Sequence, residues 1–555
     1  MTAVLLAVIG AQVPAPGAPN AGNSGAGLTP DLAPLHLPNV EYHLLLPFLI
    51  LMGSALLLLA ASSLIRGKFG RGLYAGWTVV TGLASLGWTW HLWGQIVGHS
   101  TGTHAAPRAA VAGSLAIDGF GLFITITICS AVILGALLAE SYLPREDLEG
   151  PEFYVLMMLS AAGGILMGEA NDLIVVFLGL EILSLALYVM TAYHRRRAQS
   201  GEAGMKYFVL GAFSSAFFLY GVALVYGACG STNLAAIADF LSKNVLASNG
   251  VLLAGMAFLL VGLGFKVALV PFHVWTPDVY QGAPSPATGF MAAAAKTAGF
   301  AALLRIFLGP LVAQVESWRP LIWVLAALTL LVGAVLAVVQ TDVKRILAYS
   351  SVSHAGYVLL GLEAGTATGA ISSNGLAGSS FYLLAYTFMV LGAFAVVTVV
   401  GGEGDGRHGL NSYRGLASRR PALALGFTIL LVSQAGIPFT TGFVAKFNVI
   451  SEVIGRGGAF DYVLGVLAML AAAISAYFYL RIILAMYPGG ADGSSGAAEV
   501  SSGGGATTLV ATTRALVAVP TTLTVAVVGC VAFTVAFGII PGPMIHLAEK
   551  ATLLF

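Results

Sequence analysis

Fourteen stretches of this chain are apolar for about twenty residues or more, and nothing else in the sequence constrains its fold so tightly. They fall at roughly 43–65, 73–95, 117–138, 152–170, 172–193, 203–229, 250–272, 285–308, 320–340, 343–364, 378–400, 422–451, 460–487 and 515–538. Each is long enough to cross the ~30 Å hydrocarbon core of a bilayer. In lipid an unsatisfied backbone N–H or C=O is so costly that only helices and closed barrels span the membrane. Barrel strands are about ten residues long and alternate in polarity, so these runs predict an all-α polytopic membrane protein.

Composition agrees. Of 555 residues only 9% are charged and 58% are hydrophobic, with a mean hydropathy of +0.90, whereas a soluble domain carries about a quarter charged residues. A net charge of +1 excludes a nucleic-acid binder, which needs a basic surface to neutralise phosphates. Cys129, Cys229 and Cys530 show no C-x-x-C spacing and no nearby His pair, so no iron–sulfur, zinc or disulfide framework is expected. No Walker loop and no G-x-G-x-x-G after a strand occurs. The chain is expected to work without a cofactor of its own.

Residues 1–42 read as an N-terminal extension, disordered or interfacial, with a Pro/Ala/Gly/Asn-rich stretch to about Pro38. A membrane domain follows over 43–538, interrupted by a Gly/Ser linker at 489–512, and 539–555 form a C-terminal tail. Between the runs, 14 Lys and Arg fall on one side and 5 on the other. By the positive-inside rule both termini are expected on the outer side of a cell membrane.

The other six cations lie inside the apolar runs. A charge at mid-bilayer costs at least ~2.5–3.5 kcal/mol, so it persists where it has a partner or lines a polar interior. Glu181 lies nine residues past Asp172, about 13 Å into the fifth run at 1.5 Å per residue. Lys266 and Lys296 sit at similar depth in the seventh and eighth, and Lys446 belongs to the twelfth. Structural ion pairing is the bland alternative for each, and Lys206, near the start of its run, also fits snorkelling. Three lysines against one glutamate, however, leave excess positive charge, and unpaired membrane lysines have to be titratable. Arg305 and Arg481 read as helix-end anchors, and Asp342, Lys344 and Arg345 as anchors at the start of the tenth run.

Helix breakers stand beside two of the lysines. Pro271 follows Lys266, and Gly436, Ile437 and Pro438 precede Lys446 in a run too long for one crossing. Both runs are predicted to be broken helices, which membranes tolerate only when buried in protein or lining a polar site. His273 and His354 lie within or beside apolar runs and read first as structural histidines, with relay function as the alternative.

The string FKVALVPFHVWTPDVYQGAPSPATGF, with LGLEILSLALY before it and QTDVKRILAYSSVSHAGY and GIPFTTGFVAKF after it, resembles the antiporter-like membrane subunits of respiratory complex I. The VYQGAP ending points to one bacterial branch of them. The resemblance covers about 43–538 and implies fourteen helices with two inverted repeats, near 152–308 and 320–487. It implies a proton channel in which Glu181 and Lys206 face Lys266, Lys296 is the central relay and Lys446 leads to the opposite side. It further implies that FMN, iron–sulfur clusters and the quinone site belong to other subunits. The partners would be the other membrane subunits of the complex, neighbouring antiporter-like ones included, and the lipid bilayer. A cation/proton antiporter subunit and a purely structural membrane subunit are the competing readings.

Overall fold

The structure, a computed structural model, describes residues 40–64, 72–97, 108–244, 249–367, 370–371, 373–487 and 519–554. The 489–512 linker and nearly all of the N-terminal extension lie outside the described residues. Each of the fourteen apolar runs carries helix. In chain order the helices are α1 Leu46–Leu64, α2 Leu73–Ile96, α3 Gly119–Arg145, α4 Glu152–Glu169, α5 Leu173–Thr191, α6 Ala198–Cys229, α7 Leu234–Lys243, α8 Gly250–Lys266, α9 Thr276–Gly282, α10 Ser285–Phe290 and α11 Lys296–Leu308. The second half continues with α12 Val315–Val338, α13 Val343–Ala364, α14 Ser373–Gly401, α15 Leu416–Arg419, α16 Pro421–Ala435, α17 Thr441–Gly455, α18 Ala459–Met486, α19 Thr521–Ile539 and α20 Gly542–Glu549. Two short antiparallel hairpins, Arg108–Ala110 with Leu115–Ile117 and Thr366–Ala367 with Ala370–Ile371, and three isolated β-bridges are added to an all-α fold among the described residues.

Ten of the described helical stretches are long and apolar enough to cross a membrane. The other four runs fall short for physical reasons. In α8 and α16 the breakers stop the helix early, at Lys266 and Ala435. In α2 Thr, Gly, Trp and His dilute the apolar residues, and in α13 Lys344, Arg345, the serines and His354 do so. Those polar residues of α13 face the protein interior: Lys344, Ser350, Ser351, Ser353 and His354 are all buried.

At the centre stands the stretch Ser285–Leu308, buried along its whole length. Its middle, Met291–Ala295, is a π-helical turn, the single-turn insertion that recurs at functional positions inside α-helices. Lys296 is the next residue. The adjoining chain approaches closely at Gly299, where an added Cβ would lie 2.6 Å from Val267 and 3.4 Å from the Lys266 side chain. The tail expected at 539–555 carries α20, and beyond it Thr552 and Leu554 bond to Phe120 and Asp118 at the start of α3.

Candidate functional site

Regular helix stops beside two of the lysines. After α8 ends at Lys266 the chain runs without regular helix through Pro271 and His273 until α9 begins. Between α16 and α17, Gly436 takes the left-handed conformation at φ +88°, open to glycine because it has no Cβ. Pro438 then continues the break, and Thr440 caps α17 through its hydroxyl. The last carbonyls before this break have lost their intrahelical donors, and Lys446 replaces them. Its Nζ donates to Gln434 O at 2.8 Å and Ala435 O at 3.0 Å, and lies 4.7 Å from the centre of the Tyr357 ring.

Lys266 donates to Ser184 Oγ at 2.8 Å and to Tyr207 Oη at 3.1 Å. Lys296 donates to the carbonyl of Ser351 and stands 5.9 Å from the Tyr386 ring. All three lysines are buried. Among the described residues none has a carboxylate within ion-pair distance, so neutral oxygens and ring faces are their whole direct environment.

Glu181 lies one helical turn before Ser184, the hydroxyl that binds Lys266. It is close enough to act on Lys266 electrostatically, and its Oε1 is buried without a hydrogen-bond partner among the described residues. Lys206 does not join it. Its Nζ sits 2.7 Å from Glu202 and 2.8 Å from Asp278, and Arg345 holds the other oxygen of Asp278 at 2.8 Å. Burial pulls the Asp278 carboxyl upward, but the hydrogen bonds from Lys206 and Arg345 outweigh it and hold it below the usual carboxylate range. Glu202, Lys206 and Asp278 line a cavity of about 330 Å³ together with Arg197, Asp342 and His408.

The two histidines differ. His273 lies in the first break, and its Nδ1 is buried without a hydrogen-bond partner among the described residues. His354 is clamped between two phenols, Nδ1 at 2.6 Å from Tyr382 Oη and Nε2 at 3.2 Å from Tyr479 Oη. Tyr479 also contacts Ser350 Oγ and donates to Gln434 Oε1 at 3.2 Å. Side chains of α13, α14, α16 and α18 thus form one bonded cluster that ends at Gln434, whose carbonyl accepts from Lys446.

Of the cations expected as anchors, two are engaged in the interior and a third in a half-buried ion pair. Arg305 is fully buried and binds Asp118 through two 2.8 Å bonds. Lys344 is fully buried, 2.6 Å from Ala283 O and 3.6 Å from Asp405. Arg345 holds Asp278. Sequence reasoning missed Tyr207, Tyr382, Tyr479, Gln434, Asp278 and Asp405. A usable signal existed for the first four, since polar groups inside otherwise apolar runs need partners.

Residues 170–475 match the family described as "NADH:quinone oxidoreductase/Mrp antiporter, TM". The NADH-quinone oxidoreductase subunit N of Trichlorobacter lovleyi is 41% identical over 448 residues, covering 81% of this chain and 88% of that protein. The subunit N of Mycobacterium bovis is 38% identical and covers 94% and 99%. A chain of respiratory complex I from Thermus thermophilus superimposes with a TM-score of 0.70 at 31% identity, covering 91% and 99%. This chain therefore belongs to the family of antiporter-like membrane subunits, as a subunit N of the NADH-quinone oxidoreductase complex.

Proposed function

We propose that this chain carries protons across the bacterial cell membrane along the row Glu181, Lys206, Lys266, Lys296 and Lys446, driven by quinone reduction elsewhere in the complex. FMN, iron–sulfur clusters and quinone are held by other subunits, and neighbouring antiporter-like subunits flank this one. The chain crosses the membrane fourteen times in two inverted repeats, with both termini on the outer side. One observation carries the reading: three buried lysines, two beside helix breaks and one after a π-turn, have only neutral direct partners among the described residues. Burial favours the neutral amine and an added counter-charge favours the ammonium, so each is a site whose proton affinity an approaching charge can switch.

The inlet is the charged cavity around Lys206 and Asp278. In this conformation Lys206 is turned towards Asp278, and Glu181 is left free to act on Lys266. When Lys206 swings to Glu181, Lys266 loses its counter-charge and gives its proton towards Lys296. The interaction supplies most, though not all, of what one proton requires. Moving one proton against about 150 mV requires ~3.5 kcal/mol, and two unit charges about 6 Å apart at an effective dielectric of ~20 interact by ~2.8 kcal/mol.

The test is proton uptake into liposomes containing the purified complex, driven by NADH and quinone. Lys266→Ala, Lys296→Ala and Glu181→Ala are each expected to lower pumping about tenfold or more in fully assembled complex. Wild-type pumping in all three would reject the relay.

A further inference from the structure

The relay has a gap that lysines alone do not bridge. Lys296 donates to Ser351 O, and Lys446 to Gln434 O and Ala435 O. Amide carbonyls accept hydrogen bonds but do not hold a proton at neutral pH. One buried imidazole, His354, lies within electrostatic range of both lysines, three residues after Ser351 and bonded through Tyr479 to Gln434. It has one nitrogen that donates and one that accepts when neutral, and which is which follows from what its partners do.

Those partners are unequal. Tyr382 on α14 meets Nδ1, and its hydroxyl makes no other hydrogen bond among the described residues. Tyr479 on α18 meets Nε2 and also holds two further groups, Ser350 one turn before His354 on α13 and Gln434 at the end of α16. Gln434 is the residue whose carbonyl carries Lys446. A single phenol oxygen therefore touches the imidazole, the helix that presents the acceptor of Lys296, and the helix end that presents the acceptor of Lys446. Tyr479 is almost fully buried, so water does not readily replace it.

From this geometry we infer that Tyr479 is a positioning residue of the relay: it fixes the orientation of His354 between Lys296 and Lys446 and ties that orientation to the second helix break. The inference rests on the proton-relay reading above. The proton passes as a balanced exchange. Lys296 releases H⁺ to His354, giving a neutral amine and an imidazolium. The imidazolium then returns H⁺ from its other nitrogen to a neutral Lys446, leaving the imidazole in its opposite tautomer. Tyr479 neither gains nor loses a proton overall. Its hydroxyl turns from accepting Nε2–H to donating towards Nε2, and its bond to Gln434 is given up in the second state. The Lys446 carbonyl cage is thereby loosened only when the tautomer has changed.

The experiment is a double-mutant cycle on proton pumping in liposomes, using complex purified at wild-type yield. Tyr479→Phe keeps the ring and removes the oxygen, and is expected to slow pumping about tenfold. His354→Leu is expected to slow it at least as much, and Tyr479→Phe added to His354→Leu is expected to cost nothing further. Tyr382→Phe, which removes the other bond to the same ring, serves as a second variant with the same expected non-additivity if Tyr479→Phe does not assemble. Wild-type pumping in the tyrosine variants, or losses that multiply with that of His354→Leu, would overturn the assignment. Lys296→Ala and Lys446→Ala run in parallel separate the two levels. Loss in the lysine variants with none in Tyr479→Phe refutes the role of Tyr479 alone, while full pumping throughout refutes the relay itself.

Discussion

A lysine whose neighbours are a serine, a tyrosine and a distant carboxylate differs from one in an ion pair, and Lys266 is of the first kind. Removing its proton leaves no orphaned counter-ion within hydrogen-bond reach, which keeps both charge states accessible. Guanidinium does not deprotonate in proteins, so Lys266→Arg is expected to assemble and pump at a tenth of the wild-type rate or less. Wild-type pumping in that variant, measured in liposomes, would make the charge structural. Arg305 is the opposite case: fully buried, locked on Asp118, and bonded to Gly168 O at 2.9 Å. Breaking such a pair strands a buried charge at about 3–5 kcal/mol. Asp118→Ala is therefore expected to lower the yield of assembled complex sharply, as judged by size-exclusion profile. Sequence depth set Lys266 at mid-membrane and Arg305 at a helix end, but did not show which of them had a partner. What distinguishes them is a carboxylate 187 residues away in the chain for Arg305 and, among the described residues, none in direct contact for Lys266.

Helix breaks put chemistry at mid-membrane by freeing carbonyls, and here a residue from the far side of the break returns to use them. Gly436 makes that return possible. An added Cβ would lie 2.8 Å from Lys446 Cδ, and the backbone there is left-handed, a conformation that costs an L-residue roughly 1–2 kcal/mol. Gly436→Ala is thus expected to lower the melting temperature by a few degrees and to displace Lys446, so that pumping falls more than stability does. Equal melting with wild-type pumping would show the contact to be slack. The breaks were legible because Pro271, Gly436 and Pro438 are local signals read from the chain alone. The π-turn before Lys296 was not, since Met291–Ala295, one methionine and four alanines, has no breaker in it. The clamp on His354 was equally hidden, because Tyr382 and Tyr479 reach it from helices 28 and 125 residues further along the chain.

Across the whole molecule one carboxylate gathers more of the fold than any lysine of the row. Asp405, in the loop after α14, is fully buried. It accepts from Ser285 N at 3.1 Å and Ser285 Oγ at 2.7 Å, and lies 3.3 Å from Arg197, 3.2 Å from His408 and 3.6 Å from Lys344. It thereby joins the starts of α6, α10 and α13 beside the charged cavity, so the two halves of the chain meet at the cation-rich ends of their helices. Burial pulls its carboxyl upward, but Lys344 and His408 outweigh burial and hold it well below the usual carboxylate range. A carboxylate depressed in the folded state binds fewer protons there than in the unfolded chain, so stability rises with pH through this range. The contribution is complete above the ordinary aspartate value of about 3.9 and is lost as pH falls below it towards the folded value. Asp405→Ala is expected to cost about 3–5 kcal/mol at neutral pH, because it leaves Lys344 buried and unpaired. The same variant is expected to flatten the acid side of the stability profile, since the group responsible for that slope is gone. Melting temperatures of wild type and variant in detergent, taken between about pH 3 and 7, decide it. If the two curves stay parallel down to the acid end, Asp405 is not what the acid titrates, and the joint between the halves is held by packing rather than by charge.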